Sequence, residues 1–245
     1  MKAFEAEWRA RFERFGRTHA EEHAISGWSA EGLARRFRLF QGVAADLPLP
    51  PRARVLELGC GAGTYVRYLA GLGYRVVGVD YAVPCLHRAM AADPQRVGRY
   101  AAADAYALPF AAKCFDLVVC IGVLQALTRP DHLLDEIARV LGPQGVLVVE
   151  ALNSLEVPAL ILRLLEVLRL RRSRVRFYSS FQVRRWLGER NMRPLRQVNV
   201  YLPPRSLPAL GWLLDRPAVV RALESVPGGS LLGAHAIWLV SQRER

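Results

Sequence analysis

Between Arg54 and Leu152, short β-branched apolar runs alternate with amphipathic stretches, a pattern that predicts a parallel sheet covered by helices on both faces. The runs place strands at Arg54–Leu58, Arg75–Asp80, Arg99–Ala103, Phe115–Ile121 and Gly145–Leu152. Helices are expected near Thr64–Leu72, Pro84–Ala92 and His132–Val140, the last stopped by Gly142-Pro143. Residues 1 to about 50 read as charged helices, broken at Ser26-Gly27 and ended by Pro48, Pro50 and Pro51. Beyond Asn153 the regularity weakens. Pro158 starts a helix through Ile161, Leu164, Leu165 and Leu168, on which Arg163, Glu166, Arg169 and Arg172 form one narrow polar stripe. A helix so apolar needs cover from the core, a partner or a lipid surface. A helix at Ser180–Glu189 and strands at Leu195–Tyr201 and Ala234–Ser241 complete the pattern, and the Pro-rich stretch from Leu202 to Gly233 is expected to carry another helix or two.

At 245 residues and 52% hydrophobic, the chain can bury one sizeable core, and it reads as a single α/β domain over 1–245. Within it, 1–50 is expected to be an N-terminal helical lid, 54–152 a cofactor-binding core, 153–233 substrate-side helices with strand six, and 234–241 the last strand. No run of about 18 uninterrupted apolar residues occurs, and the first residues mix Glu5, Glu7 and Glu13 with Arg9, Arg11 and Arg14, so neither a membrane span nor a secretory signal is expected. Cys60, Cys85, Cys114 and Cys120 form no C-x-x-C pair, as expected of reduced thiols in a cytoplasmic protein. The net charge of +12 invites a nucleic-acid reading, but only Lys2 and Lys113 are lysines and the arginines are spread over the whole chain. Compositional bias gives the same picture, so nucleic acid is not the favoured partner.

The candidate chemistry lies in V-L-E-L-G-C-G-A-G. Gly59, Gly61 and Gly63 let the backbone turn sharply at a strand's carboxyl end, where doubly wound sheets bind ligands. The dinucleotide fingerprint G-x-G-x-x-G needs a glycine at position 64 or 66, where Thr64 and Val66 stand, so a pyrophosphate ligand is disfavoured. Glu57 points the same way: a carboxylate beside the loop repels phosphates and attracts ammonium or sulfonium charge. Asp80, about twenty residues after the glycines, can accept from both hydroxyls of a ribose, which suits NAD equally well. Asp104 is placed to accept from an adenine amino group while the Ala105 amide donates, and Tyr81 and Ile121 can supply flat apolar walls.

Together these segments resemble the class I S-adenosylmethionine-dependent methyltransferases, the small-molecule branch in particular. The resemblance covers roughly Val55 to Glu150, through L-E-L-G-C-G-A-G, V-V-G-V-D-Y, A-D-A-Y-A-L-P-F, F-D-L-V-V-C-I-G-V-L and L-L-D-E-I-A-R-V-L-G-P-Q-G-V-L-V-V-E. It implies a Rossmann-like, doubly wound, seven-stranded sheet whose last strand enters antiparallel beside the fifth. It implies S-adenosylmethionine as cofactor, with Glu57, Gly59, Gly61, Gly63, Asp80, Tyr81, Asp104, Ala105 and Ile121 touching it. One departure stands out: relatives often carry His where this chain has Gln125, and Gln is a poor base.

Each feature also has a plainer reading. The glycines could form a simple strand-to-helix turn, Asp80 a helix cap and Asp104 an Asx-turn. His19 and His23 are spaced as metal ligands on one helix, but H-A-E-E-H lacks the Glu directly after the first His that a zinc protease needs, and no metal is expected. His87 and His132 read as surface or packing residues. Trp8, Phe12, Phe15, Trp28, Phe37 and Phe40 either dock the N-terminal helices or line a lid. The favoured function is methyl transfer to a small or lipid-like organic acceptor, with no catalytic residue assigned. The alternatives are a nucleic-acid methyltransferase, an NAD-linked oxidoreductase, and a non-catalytic cofactor-binding or scaffold protein that uses 158–172 as a membrane-surface or protein contact. Oligomeric state is left open.

Overall fold

The computed structural model describes residues 3–170, 173–202, 211–214, 216–226 and 228–244. Seven strands form one sheet: β1 (Arg54–Leu58), β2 (Arg75–Asp80), β3 (Arg99–Ala102), β4 (Phe115–Cys120), β5 (Leu141–Leu152), β6 (Met192–Val200) and β7 (Ala236–Arg243). Their order is β3-β2-β1-β4-β5-β7-β6, parallel from β3 to β5, with β7 antiparallel to both β5 and β6. The apolar runs form strands because both sheet faces are covered. Leu56, Leu58, Val118 and Leu147 pack on one side with Leu133, Leu134 and Ile137, while Val55, Leu117, Val119 and Val148 pack on the other with Phe40, Val66 and Leu69.

The N-terminal region forms α1 (Ala3–Thr18), α2 (Glu22–Ile25) and α3 (Ala30–Ala45), and the sheet crossovers carry α4 (Thr64–Gly71), α5 (Val83–Ala91) and α6 (Pro130–Val140). After β5 come α7 (Val157–Val167) and α8 (Ser180–Gly188), then after β6 the short α9 (Gly211–Leu214), α10 (Pro217–Ser225) and α11 (Gly229–Gly233). Ser29 and Ser179 cap α3 and α8 by accepting from the Gly32 and Gln182 amides at 3.0 and 3.1 Å.

Several boundaries differ from the sequence expectation. β5 begins at Leu141, directly after α6, because Gly142 and Pro143 are carried in a register irregularity opposite Phe115 instead of forming a loop. β6 starts three residues early, since Pro194 is tolerated on an edge strand where a bulge follows it. β7 starts at Ala236, not Ala234. The helix from Pro158 ends at Val167; Arg171 and Arg172 lie outside the described residues, as do residues 203–210 of the Pro-rich stretch. A break at residues 19–21 puts His19 beyond α1 and His23 inside α2, so the two histidines do not share a helix. Among the described residues no His/Cys/Asp/Glu group could hold a metal.

Candidate cofactor and acceptor site

β1 is flanked by β2 on one side and β4 on the other, so the chain winds away in both directions and leaves a crevice at its carboxyl end. The loop there is built by Gly59, with φ of +66° and a position where a Cβ would stand 2.6 Å from Val123 Cγ2. Asp80, at the end of β2, ties the loop down. Its Oδ2 accepts from the Gly61 amide at 3.0 Å and its Oδ1 from the Ala82 amide at 2.8 Å.

Glu57 is the most telling group. It is 4% exposed, the Val66 amide at the start of α4 donates to its carboxylate, and Oε2 has no partner among the described residues. Burial, and secondarily the charge of Asp80, push its titration well above the usual carboxylate range. Burial also raises Asp80, with its amide donors opposing the shift. A buried and a half-buried carboxylate thus share one crevice, and nearby Cys60 is driven up by burial and by both of them. Such a site is short of positive charge.

The crevice is lined by Glu57, Gly59, Gly61, Asp80, Tyr81, Ala105 and Ile121 of the expected residues. Two expected residues stand outside that lining. Gly63 caps α4 at φ +76° against the Tyr100 hydroxyl, where a Cβ would come within 2.8 Å. Asp104 is exposed and spends its Oδ1 on the Tyr106 amide at 2.9 Å, the Asx-turn geometry.

The N-terminal helices roof the crevice. The backbone of α1 passes close over α5 at Gly16, whose carbonyl accepts from Arg88 Nε at 2.9 Å. At its other end Glu5 accepts from the Tyr106 hydroxyl at 2.6 Å and the Thr128 amide at 2.8 Å. Glu22 of α2 accepts from Thr64 and pairs with Arg67. Phe12, Ser26 and Trp28 reach in from this roof and leave about 80 Å³ of open space. Ligand pockets usually offer roughly 300–1,000 Å³, so entry of a nucleoside requires the roof to move. The aromatic residues therefore divide: Phe40 is buried packing, Trp8 is mostly buried but edges the second chamber, and Phe12 and Trp28 face the site.

Beyond Trp28 a second chamber of about 1390 Å³ opens, walled by Phe15, Arg36, Gln125, Glu156, Phe177 and His235 among others. Arg36 lies 4.5 Å from the Trp28 ring centroid and is ion-paired, fully inside, with Glu150 at 2.8 Å. Gln125 is 7% exposed, with an unpartnered Oε1. His87 and His132 are exposed on α5 and α6. Sequence reasoning did not find the Glu5 and Glu22 latches or the Glu156–His235 pair. Each joins residues 42 or more positions apart, and no local motif marks them.

Residues 56–149 match the family model described as a methyltransferase domain. The malonyl-[acyl-carrier protein] O-methyltransferase of Enterobacter lignolyticus (strain SCF1) is 34% identical over 123 residues, which is 50% of this chain and 48% of that one. The chain thus spans about half the length of this curated relative. Among solved structures, an S-adenosylmethionine-dependent methyltransferase from Mesorhizobium loti superposes with a TM-score of 0.62 at 17% identity, covering 83% of this chain and 97% of that one. The [4+2]-cyclase SpnF superposes with a TM-score of 0.61 at 19% identity, covering 84% of this chain and 81% of that one. At these identities the likeness establishes the fold, which hosts more than one chemistry.

Proposed function

Residues 56–149 match a methyltransferase-domain model, and we propose that the chain is a class I S-adenosylmethionine-dependent methyltransferase that moves a methyl group from that cofactor to a small or lipid-like organic acceptor. The observation that carries this reading is the unpartnered carboxylate oxygen of buried Glu57 beside a second, half-buried carboxylate, Asp80. An onium-charged nucleoside supplies the missing positive charge, whereas a diphosphate-bridged dinucleotide adds to the repulsion.

In this reading Glu57 holds the cationic amino-acid end of the cofactor. The free lone pairs of Asp80 hold the ribose hydroxyls, with Gly59 and Gly61 admitting close backbone approach and Tyr81, Ala105 and Ile121 flanking the base. Asp104 and Gly63 act indirectly, the first by shaping the Ala105 turn and the second by starting α4. When bound, the cofactor supplies an electrophilic methyl group on sulfur. The protein's own contribution is alignment and exclusion of water: Phe12 and Trp28 close the donor crevice, and the second chamber presents the acceptor to it.

The acceptor's lipid-like character rests on α7. Val157, Leu160, Ile161, Leu164, Val167 and Leu168 form one outward apolar stripe, with exposures from 40% to 79%, while Pro158 and Leu162 of the same helix wall the chamber. The stripe rests on a lipid surface and the acceptor enters beside it. Among the described residues no helix is long and apolar enough to cross a membrane. Four free cysteines support a reducing, cytoplasmic setting. Calorimetry tests the donor reading: S-adenosylmethionine and its demethylated product bind and NAD does not. Equal affinity for NAD overturns it.

A further inference from the structure

One pair on the chamber wall has the geometry of an activated base. His235 Nδ1 faces Glu156, 3.2 and 3.1 Å from the two carboxylate oxygens, with the side chains 32% and 12% exposed. The contact places the Nδ1 proton toward the carboxylate, so the neutral ring carries its lone pair on Nε2. The backbone of His235 is pinned on both sides. Its amide donates to the Val200 carbonyl at 2.8 Å, and its carbonyl accepts from the Asn153 amide at 3.0 Å. The Asn153 side chain donates to the Leu231 and Ala234 carbonyls at 2.7 and 2.8 Å, which fixes the chain leading into His235. Because β7 runs antiparallel to β5, this rigid point lies at the same sheet edge as the carboxyl ends of β1 and β4.

Resting on the methyl-transfer reading above, we propose that His235, oriented by Glu156, is the general base of the acceptor chamber, and that the acceptor it serves is a phenol-type hydroxyl on a flat apolar body. The walls contributed by Trp8, Phe12, Phe15, Trp28 and Phe177 suit the flat body. The hydroxyl is the group that needs a base, since a carboxylate or a tertiary amine accepts a methyl group without losing a proton. As the oxygen bonds to the methyl carbon, its O–H proton passes to Nε2 and the C–S electron pair stays on sulfur, leaving a neutral thioether. The imidazolium then returns the proton to water. His235 thereby takes the role that Gln125 cannot fill. Glu156 is a positioning residue.

The other charged and titratable groups on this chamber are Arg11, His19, Glu31, Arg36 and Arg174, of which Arg36 is committed to Glu150. An arginine-stabilised phenolate is therefore the rival explanation, and the test separates the two. The probe is 4-nitrophenol, whose yellow phenolate band reports its ionisation, titrated into the full chain with S-adenosylhomocysteine present at a pH below the probe's own pKa. The wild type is expected to bind it as phenolate. H235Q binds it as neutral phenol, about tenfold more weakly, the equivalent of one pKa unit. H235N behaves as H235Q, and E156Q gives an intermediate phenolate fraction. Absence of probe binding, neutral binding by the wild type, or an unchanged phenolate band in H235Q overturns the proposal. S-Adenosylmethionine calorimetry on the same proteins keeps the two readings apart: intact donor binding with a negative probe result sinks only the base, while loss of donor binding in the wild type sinks the methyl-transfer reading.

Discussion

Replacing Glu57 with Gln is expected to make the ligand-free protein more stable and the cofactor-bound protein much less so. The carboxylate is buried and one oxygen is unpartnered, a state that costs about 1–3 kcal/mol for a polar group and more for a charge. E57Q removes the charge at constant shape. For a chain of this size the gain corresponds to a rise in Tm of about 2–10 °C. The sign with pH follows from the raised titration of Glu57 in the folded state. A carboxyl whose folded pKa exceeds its unfolded pKa takes up protons on folding, so wild-type stability falls as pH climbs from the ordinary carboxylate range to the raised value. E57Q flattens that slope, and its advantage is therefore largest at alkaline pH. Binding moves the other way: losing one partner of a desolvated charge contact costs ~2–5 kcal/mol, which is about thirtyfold or more in Kd for S-adenosylmethionine. Wild-type binding is also expected to release a proton, visible as a buffer-dependent calorimetric enthalpy that E57Q abolishes. Thermal melts from pH 5 to 9 and calorimetry in two buffers check all of this. A variant that melts lower than wild type at pH 8 and binds the cofactor equally well would refute the reasoning.

Asp80→Ala loses the acceptors for the Gly61 and Ala82 amides, so donor binding should fall by about hundredfold and stability by about 1–3 kcal/mol, read by calorimetry and urea melts. Gly59→Ala puts a methyl group 2.6 Å from Val123 Cγ2 at positive φ; a cost of about 1–3 kcal/mol and weakened donor binding are expected from the same two assays. Burial alone would raise Glu5, but hydrogen bonds from Thr128 and Tyr106 and the charge of Arg129 hold it below the usual range. Its latch is thus intact above the unfolded carboxylate pKa and lost as pH falls through the lowered folded value. Hydrogen exchange should show α1 opening at acid pH, and E5Q should open it at neutral pH and speed cofactor release. Leu164→Glu with Val167→Glu should abolish sedimentation with anionic phospholipid vesicles while leaving S-adenosylmethionine affinity unchanged.

The sheet was legible because its strands are buried on both faces and therefore read as unbroken apolar runs; β1 and β2 carry the bounds that the pattern predicts. The boundaries that moved involve proline and glycine, whose usual punctuation is overridden by an edge position at Pro194 and by a register irregularity at Gly142-Pro143. In the site, the place of Glu57 and Asp80 in the crevice was readable because it is local: an acid at a strand's carboxyl end beside a glycine turn. Asp104 was ambiguous for the same reason, since a short acid after a strand also makes an Asx-turn, and its Oδ1 does so here. The roof and the His235–Glu156 pair were not legible at all. The roof depends on where α1 and α2 lie against α4, α5 and the residues around Tyr106 and Thr128, the pair on where the starts of β7 and α7 approach, and residues 79 apart acquire a relation only through tertiary packing.

The most direct test of the claim that the paired carboxylates of Glu57 and Asp80 await an onium-charged nucleoside is diffraction from crystals soaked with S-adenosylmethionine. Density for the ligand should fill the crevice, with its cationic amino-acid end against Glu57 and its ribose hydroxyls on Asp80. A crevice still closed by Phe12 and Trp28 at saturating ligand, or the nucleoside bound in the reverse sense with Glu57 untouched, would contradict it.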